Sequence, residues 1–237
     1  MKMFNNDFKT KLFIDGPDLL NLQNLNKRSL VCGFTTNPTL ISKMNIPYET
    51  YSKKFLKIVK KKSSSFEVLG DDNKTMIKEA VAISKWGRNV FVKIPIVNTK
   101  GKSTGTVIKH LSNLDIKLNV TAIFTKQQID IIKKNINNNS DVIISIFCGR
   151  IADTGRDPIE YVKYAKKTFR YNKNVKILWA SPREILNIFH ANNSGCDFIT
   201  ITEDLFKKLS NLNKNLHQFS IETVKMFFRD AKKSNLK

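Results

Sequence analysis

Eight short runs of strand-forming residues recur along the chain with helix-spaced segments between them, and this beat restricts the fold more than any other feature. The runs are Lys11 to Asp15, Gly33 to Asn37, Ser65 to Gly70, Val90 to Ile96, Ile116 to Ile123, Asp141 to Gly149, Lys176 to Ser181 and Phe198 to Glu203. Helical spacing fills Asp18 to Lys27, Pro47 to Lys62, Asn73 to Trp86, Gly105 to Asn113, Thr125 to Asn135, Pro158 to Tyr171 and Pro182 to Asn193. Alternation of eight strands with helices within 237 residues predicts an α/β chain with one domain over residues 1–237, a (β/α)8 TIM barrel, more economically than an open doubly wound sheet. The charged stretch past Ser210 predicts an additional C-terminal helix. No Pro/Gly/Ser-rich linker marks a second domain.

One run carries an energetic oddity. Val90-Phe91-Val92-Lys93-Ile94-Pro95-Ile96 reads as a buried parallel strand, in which an ammonium group is costly unless paired. Such a lysine is a candidate amine nucleophile. Strand alternation places Val92 and Ile94 toward the helices, so Phe91, Lys93 and Pro95 point into the barrel. The same parity turns Asp15, Glu67, Asn119, Thr121, Ser145 and Ser181 inward, mostly near the C-terminal ends of their strands, where barrels of this kind carry their sites. Each has a plainer reading taken singly: Asp15-Gly16-Pro17 looks like a turn, and a lone Asn or Thr often satisfies neighbouring backbone. Their joint occurrence on one parity points to a site.

Composition raises a competing idea. Lys and Arg number 41 against 20 Asp and Glu, a formal charge of +21, and a balance this basic raises nucleic acid as a partner. The charge is spread over the whole chain as Lys pairs, and no finger, RNP or zipper pattern accompanies it. It is read as solvated helix faces, with a noncatalytic nucleic-acid-binding barrel as the remote alternative. No apolar stretch approaches the length of a membrane span, and Met1 to Asp7 lead into no long apolar segment, so a cytoplasmic protein without membrane contact is expected. Cys32, Cys148 and Cys196 are isolated and odd in number, which predicts buried free thiols in place of a metal site or disulfide framework.

Several segments also resemble, in order, the motifs of the transaldolase family: Phe13-Ile14-Asp15, Gly33-Phe34-Thr35-Thr36-Asn37-Pro38-Thr39-Leu40-Ile41, Val92-Lys93-Ile94-Pro95, Asn119-Val120-Thr121-Ala122-Ile123-Phe124, Gly149-Arg150 and Ala180-Ser181-Pro182-Arg183. The resemblance implies a (β/α)8 barrel and class I aldol chemistry through a lysine Schiff base, with no metal or organic cofactor. It assigns Lys93 as the Schiff-base lysine, its neutral amine favoured by desolvation around Phe91, and Asp15 as the acid/base carboxylate. Glu67 and Thr121 match the pair that holds a catalytic water. Asn37, Asn119 and Ser145 match contacts to the sugar, and Ser181, Arg183 and Arg150 match a phosphate site, for which the planar guanidinium fork is suited.

The implied activity is transfer of a dihydroxyacetone unit between sugar phosphates in the pentose phosphate pathway, from sedoheptulose 7-phosphate or fructose 6-phosphate to an aldose phosphate. Fructose-6-phosphate aldolases, which the resemblance also reaches, carry glutamine where this chain has Glu67, so the glutamate favours transfer. A related aldolase, or a specialised transaldolase-like enzyme of sugar biosynthesis, is the alternative. The segment Asn98 to Gly105 is read as a mobile basic surface loop, with phosphate gripping as the other reading. A homo-oligomer is possible, with Phe227-Phe228 of the last helix as the apolar contact.

Overall fold

A strand that is followed by a helix can pair in parallel with the next strand, and eight repetitions bring the last strand back to the first. The computed structural model describes residues 8–42 and 46–234, so the N-terminal reading over Met1 to Asp7 lies outside the described residues. Strands β1 (Lys11–Asp15), β2 (Val31–Thr35), β3 (Ser63–Glu67), β4 (Val90–Pro95), β5 (Leu118–Ile123), β6 (Val142–Ile146), β7 (Val175–Trp179) and β8 (Phe198–Ile201) form a closed barrel in sequence order. The helices are α1 (Leu19–Lys27), α2 (Pro38–Ser42), α3 (Tyr48–Ile58), α4 (Asn73–Ser84), α5 (Gly105–Asn113), α6 (Lys126–Asn135), α7 (Cys148–Ala152), α8 (Ile159–Thr168), α9 (Leu186–Asn193), α10 (Glu203–Lys208) and α11 (Leu216–Lys233).

Local chemistry sets the helix starts. The Asp72 carboxylate accepts the Thr75 N–H to cap α4, and Thr125 with Gln128 forms a reciprocal capping box on α6. Side chains divide as the parity predicts. Val92, Ile94, Val120, Ile144 and Ile177 pack outward against the helices, whereas Phe13, Ile143, Leu178 and Ala180 fill the barrel interior with Phe91 and Phe198. Phe13 and Phe198 stack with centroids 4.6 Å apart.

Some boundaries differ from the sequence reading. Strand β2 begins and ends two residues early because Pro38 opens α2, leaving Asn37 in the connecting loop. Helix α3 stops at Ile58 and β3 starts at Ser63, where Ser64 and Ser65 are buried against neighbouring strands; three consecutive serines carry no apolar signal. The run from Asp141 divides into β6 and the unforeseen α7. The segment Asn98 to Gly105 is pinned and not loose: Asp71 accepts the Thr99 N–H and O–H at 2.8 and 2.6 Å, and Val97 bridges Ser103. Those bonds hold the Asp71 carboxyl below its ordinary range. Lys100 and Lys102 are exposed and do not line the cavity described below.

Helix α11 is the expected C-terminal helix. None of its residues is buried, and Leu216, Val224, Phe227 and Phe228 stand exposed along it. Among the described residues no helix is long and apolar enough to cross a membrane.

Cys148 and Cys196 are buried and Cys32 is half-buried. Burial raises both buried thiols, Cys196 to about 12, so neither forms the reactive thiolate at neutral pH. Alkylation of the native protein by iodoacetamide at pH 8 therefore stops at one adduct per chain or fewer by mass spectrometry, and reaches three after denaturation.

Candidate active site

The C-terminal ends of the strands surround a cavity of about 530 Å³. Asp15, Asn37, Lys93, Thr121, Ser145, Arg150, Ser181 and Arg183 all line it, joined by residues the sequence reading passed over. Glu67 and Asn119 stand just outside that lining, each bonded to a residue beside them.

Register explains the central pair. Glu67 on β3 is the direct partner of Lys93 on β4, so both side chains project inward at one height. Lys93 Nζ lies 3.0 Å from Glu67 Oε2 and donates to the Thr36 carbonyl at 2.9 Å. The lysine is only 8% exposed, and these two acceptors satisfy a charge that would otherwise be costly to bury. The expected apolar setting is thus corrected: Phe91 sits two residues nearer the N-terminal end, with the Lys117 ammonium over its ring, while the amine of Lys93 meets polar partners. Tyr48 supports the pair from α3, its hydroxyl accepting the Glu67 N–H at 2.7 Å, and desolvation raises this phenol above its ordinary range.

On β1, β2 and β8, Thr35 donates to Asp15 Oδ1 at 2.6 Å and lies 2.7 Å from the Thr200 hydroxyl. From β5 and β6, Ser145 donates to Asn119 Oδ1 at 2.7 Å and Asn119 Nδ2 donates to Ser65 at 2.9 Å. Asn119 is fully buried outside the cavity lining, and its Oδ1 holds the Ser145 hydroxyl. Thr121 Oγ1 is one of two buried side-chain polar atoms without a partner among the described residues; the other, Trp179 Nε1, faces the helix layer. An orphan hydroxyl at a cavity wall is a place for water or ligand.

The cations come from α7 and from the turn after β7, which meet closely. Gly149 packs so closely on Ser181 that a Cβ there would lie 1.5 Å from the Ser181 carbonyl oxygen. That contact sets α7, with Arg150 and Asp153, beside the turn carrying Ser181 and Arg183. Arg183 makes a two-point ion pair with Asp153 through Nε, at 3.0 Å, and NH2. The pair holds the Asp153 carboxyl below its ordinary range and raises the guanidinium. Both side chains are about half exposed, and NH1 has no partner among the described residues. Arg150 lies over the Phe147 ring, 5.5 Å from its centroid.

Thr35, Thr200, Thr202, Phe147 and Asp153 also line the cavity and were not singled out from sequence. Alternation contained the signal for two of them, since Thr200 stands between outward Ile199 and Ile201, and Thr35 follows outward Phe34. Asp153 carried none.

A closed eight-stranded parallel barrel with a polar cavity at its C-terminal mouth is the architecture of a (β/α)8 enzyme. The model of the family described as transaldolase/fructose-6-phosphate aldolase matches residues 12–237. Relatives include "Probable transaldolase 2" of Listeria monocytogenes, 34% identical over 221 residues, with 93% of this chain and 95% of that protein covered. "Probable transaldolase" of Sulfurihydrogenibium sp. is 34% identical over 203 residues, covering 84% and 88%. Among solved structures, dihydrodipicolinate synthase from Thermotoga maritima superposes with a TM-score of 0.59 at 14% identity, over 95% of this chain and 81% of the other, a likeness of fold alone. The chain belongs to the transaldolase/fructose-6-phosphate aldolase family and is an aldolase-type enzyme.

Proposed function

We propose that this enzyme is a transaldolase, moving a dihydroxyacetone unit from sedoheptulose 7-phosphate or fructose 6-phosphate to an aldose phosphate through a Schiff base on Lys93. The observation that carries the reading is the buried Lys93–Glu67 pair at 3.0 Å, whose lysine lines a cavity also lined by Asp15 and two arginines. Glu67 would accept a proton from the Lys93 ammonium, freeing the amine to attack the C2 carbonyl of the ketose. A water between Glu67 and the orphan Thr121 hydroxyl would carry protons as the carbinolamine forms and loses water. Asp15 then takes the C4 hydroxyl proton as the C3–C4 bond breaks, and the bond's electrons pass into the iminium to form an enamine. The aldose phosphate leaves, and a second aldehyde accepts the three carbons by the reverse steps.

Asn37 and Ser145 would bind the dihydroxyacetone hydroxyls, with Asn119 acting through Ser145. Ser181, Arg150 and the free NH1–NH2 edge of Arg183 would take the phosphate, an edge geometry suited to two parallel hydrogen bonds. Borohydride reduction in the presence of fructose 6-phosphate should add a three-carbon unit to Lys93. An unmodified Lys93 overturns the reading, and release of free dihydroxyacetone without an acceptor moves the enzyme to the aldolase alternative.

The exposed apolar side chains of α11 support self-association on the same reading. Light scattering should report a mass above that of one chain, falling in a Phe227→Ser, Phe228→Ser variant; a monomeric parent protein removes the proposal.

A further inference from the structure

We propose that Thr35 and Thr200 are positioning residues for this reaction, forming a one-way chain of hydroxyls that occupies Oδ1 of Asp15 and reserves Oδ2 for the proton of the sugar. The inference rests on the reading of Asp15 as the acid/base carboxylate.

A threonine hydroxyl has one proton to donate and lone pairs with which to accept, whereas an ionised carboxylate only accepts. Thr35 Oγ1 touches both Asp15 Oδ1, at 2.6 Å, and Thr200 Oγ1, at 2.7 Å. Its single proton must go to the carboxylate. Thr200 must then donate to Thr35, so the chain runs from β8 through β2 to β1 and leaves Thr200 with lone pairs toward the cavity. Thr35 and Thr200 are only 2% and 4% exposed, which limits water's competition for either bond. Asp15 Oδ2 has no hydrogen-bond partner among the described residues, and Asp15 lines the cavity.

Strand pairing builds the device. Thr35 is the register partner of Asp15, and Thr200 pairs with Phe13 on the other side of β1, so the two flanking strands reach across the inner surface of the strand between them. Phe13 fills the layer below, its ring so close to Gly33 that a Cβ there would lie 2.5 Å away. The carboxylate is thereby held at one oxygen by a side chain itself held in place, the arrangement that proton transfer needs when small misplacements are costly.

Thr35→Val keeps the shape and removes the hydroxyl. The trapped species reads the affected step, because a slow cleavage lets the uncleaved six-carbon iminium accumulate. With fructose 6-phosphate and borohydride, the parent enzyme should yield the three-carbon adduct on Lys93, whereas Thr35→Val should yield mainly the six-carbon phosphate adduct. Its kcat should fall about tenfold to a hundredfold with KM nearly unchanged, Thr35→Ser should restore both, and Thr200→Val should show the same shift more weakly. If Thr35→Val does not fold, Thr200→Val with Thr200→Ser carries the same comparison. Parental turnover and adduct in both valine variants overturn the inference while leaving the Schiff base standing, as does loss of all adducts together. Failure of the parent enzyme to be trapped overturns the inference and the proposed function alike.

Discussion

On the proposed function, Lys93→Met is expected to lower transfer activity by about four orders of magnitude or more, the scale of loss when a covalent nucleophile is deleted. Methionine keeps most of the aliphatic stem, so packing around β4 changes little, but no group remains to form the iminium. Borohydride trapping is lost with turnover, and a trapped adduct elsewhere on the chain would refute the assignment. The same change also acts on stability. Glu67 is 18% exposed at its side chain and has Lys93 as its ion-pair partner, so the variant leaves a carboxylate facing the barrel uncompensated. Breaking such a pair from one side costs on the order of 3 kcal/mol, whereas replacing both partners can be nearly neutral. Denaturant unfolding should therefore show Lys93→Met destabilised and the Lys93→Met, Glu67→Gln double variant largely recovered, although both are inactive. Equal stabilities for the single and double variants would mean that the ion pair carries little of the fold's energy.

Gly149→Ala is expected to be as damaging by a different route. The added Cβ would lie 1.5 Å from the Ser181 carbonyl oxygen and 2.6 Å from its carbonyl carbon. Both are backbone atoms, so no side-chain rotation relieves the overlap, and α7 must move away from the end of β7. The Gly149 N–H to Ala180 bond, at 3.3 Å, is strained by the same movement. Overpacking at a close backbone contact costs about 3 kcal/mol or more, readable as a lowered midpoint of chemical unfolding. The functional loss is selective. Arg150 and Arg183 stand on the two segments forced apart, so on the proposed function KM for a ketose phosphate should rise by about tenfold or more, the scale of a lost charged contact. On the proposed function dihydroxyacetone, which has no phosphate, should still be trapped on Lys93. A variant with unchanged KM would separate these arginines from phosphate binding.

What could be read from sequence follows the range of the physics involved. Whether Lys93 points into a barrel depends on its own strand and the two apolar neighbours Val92 and Ile94, so alternation along a few residues suffices. The same rule contained Thr35 and Thr200, but threonine is a common strand residue and carries no burial penalty large enough to draw the eye, as a lysine does. The Arg183–Asp153 pair joins residues thirty positions apart. Its formation depends on Gly149 meeting Ser181, and neither segment alone records how closely they cross. Asn119 shows a third case: its inward parity was legible, yet it bonds Ser65 and Ser145 and stays out of the cavity wall.

By itself, then, the sequence determined the eight strands, the helices between them and the inward face of each catalytic candidate, because these arise from local periodicity and the cost of burying charge. Closure of the barrel decided the rest: which oxygen meets the amine, which carboxylate occupies Arg183, and which hydroxyls hold Asp15. Those are contacts between strands and loops distant in the chain, and they are selected by register and ångström-scale separation, which no local pattern of residues encodes.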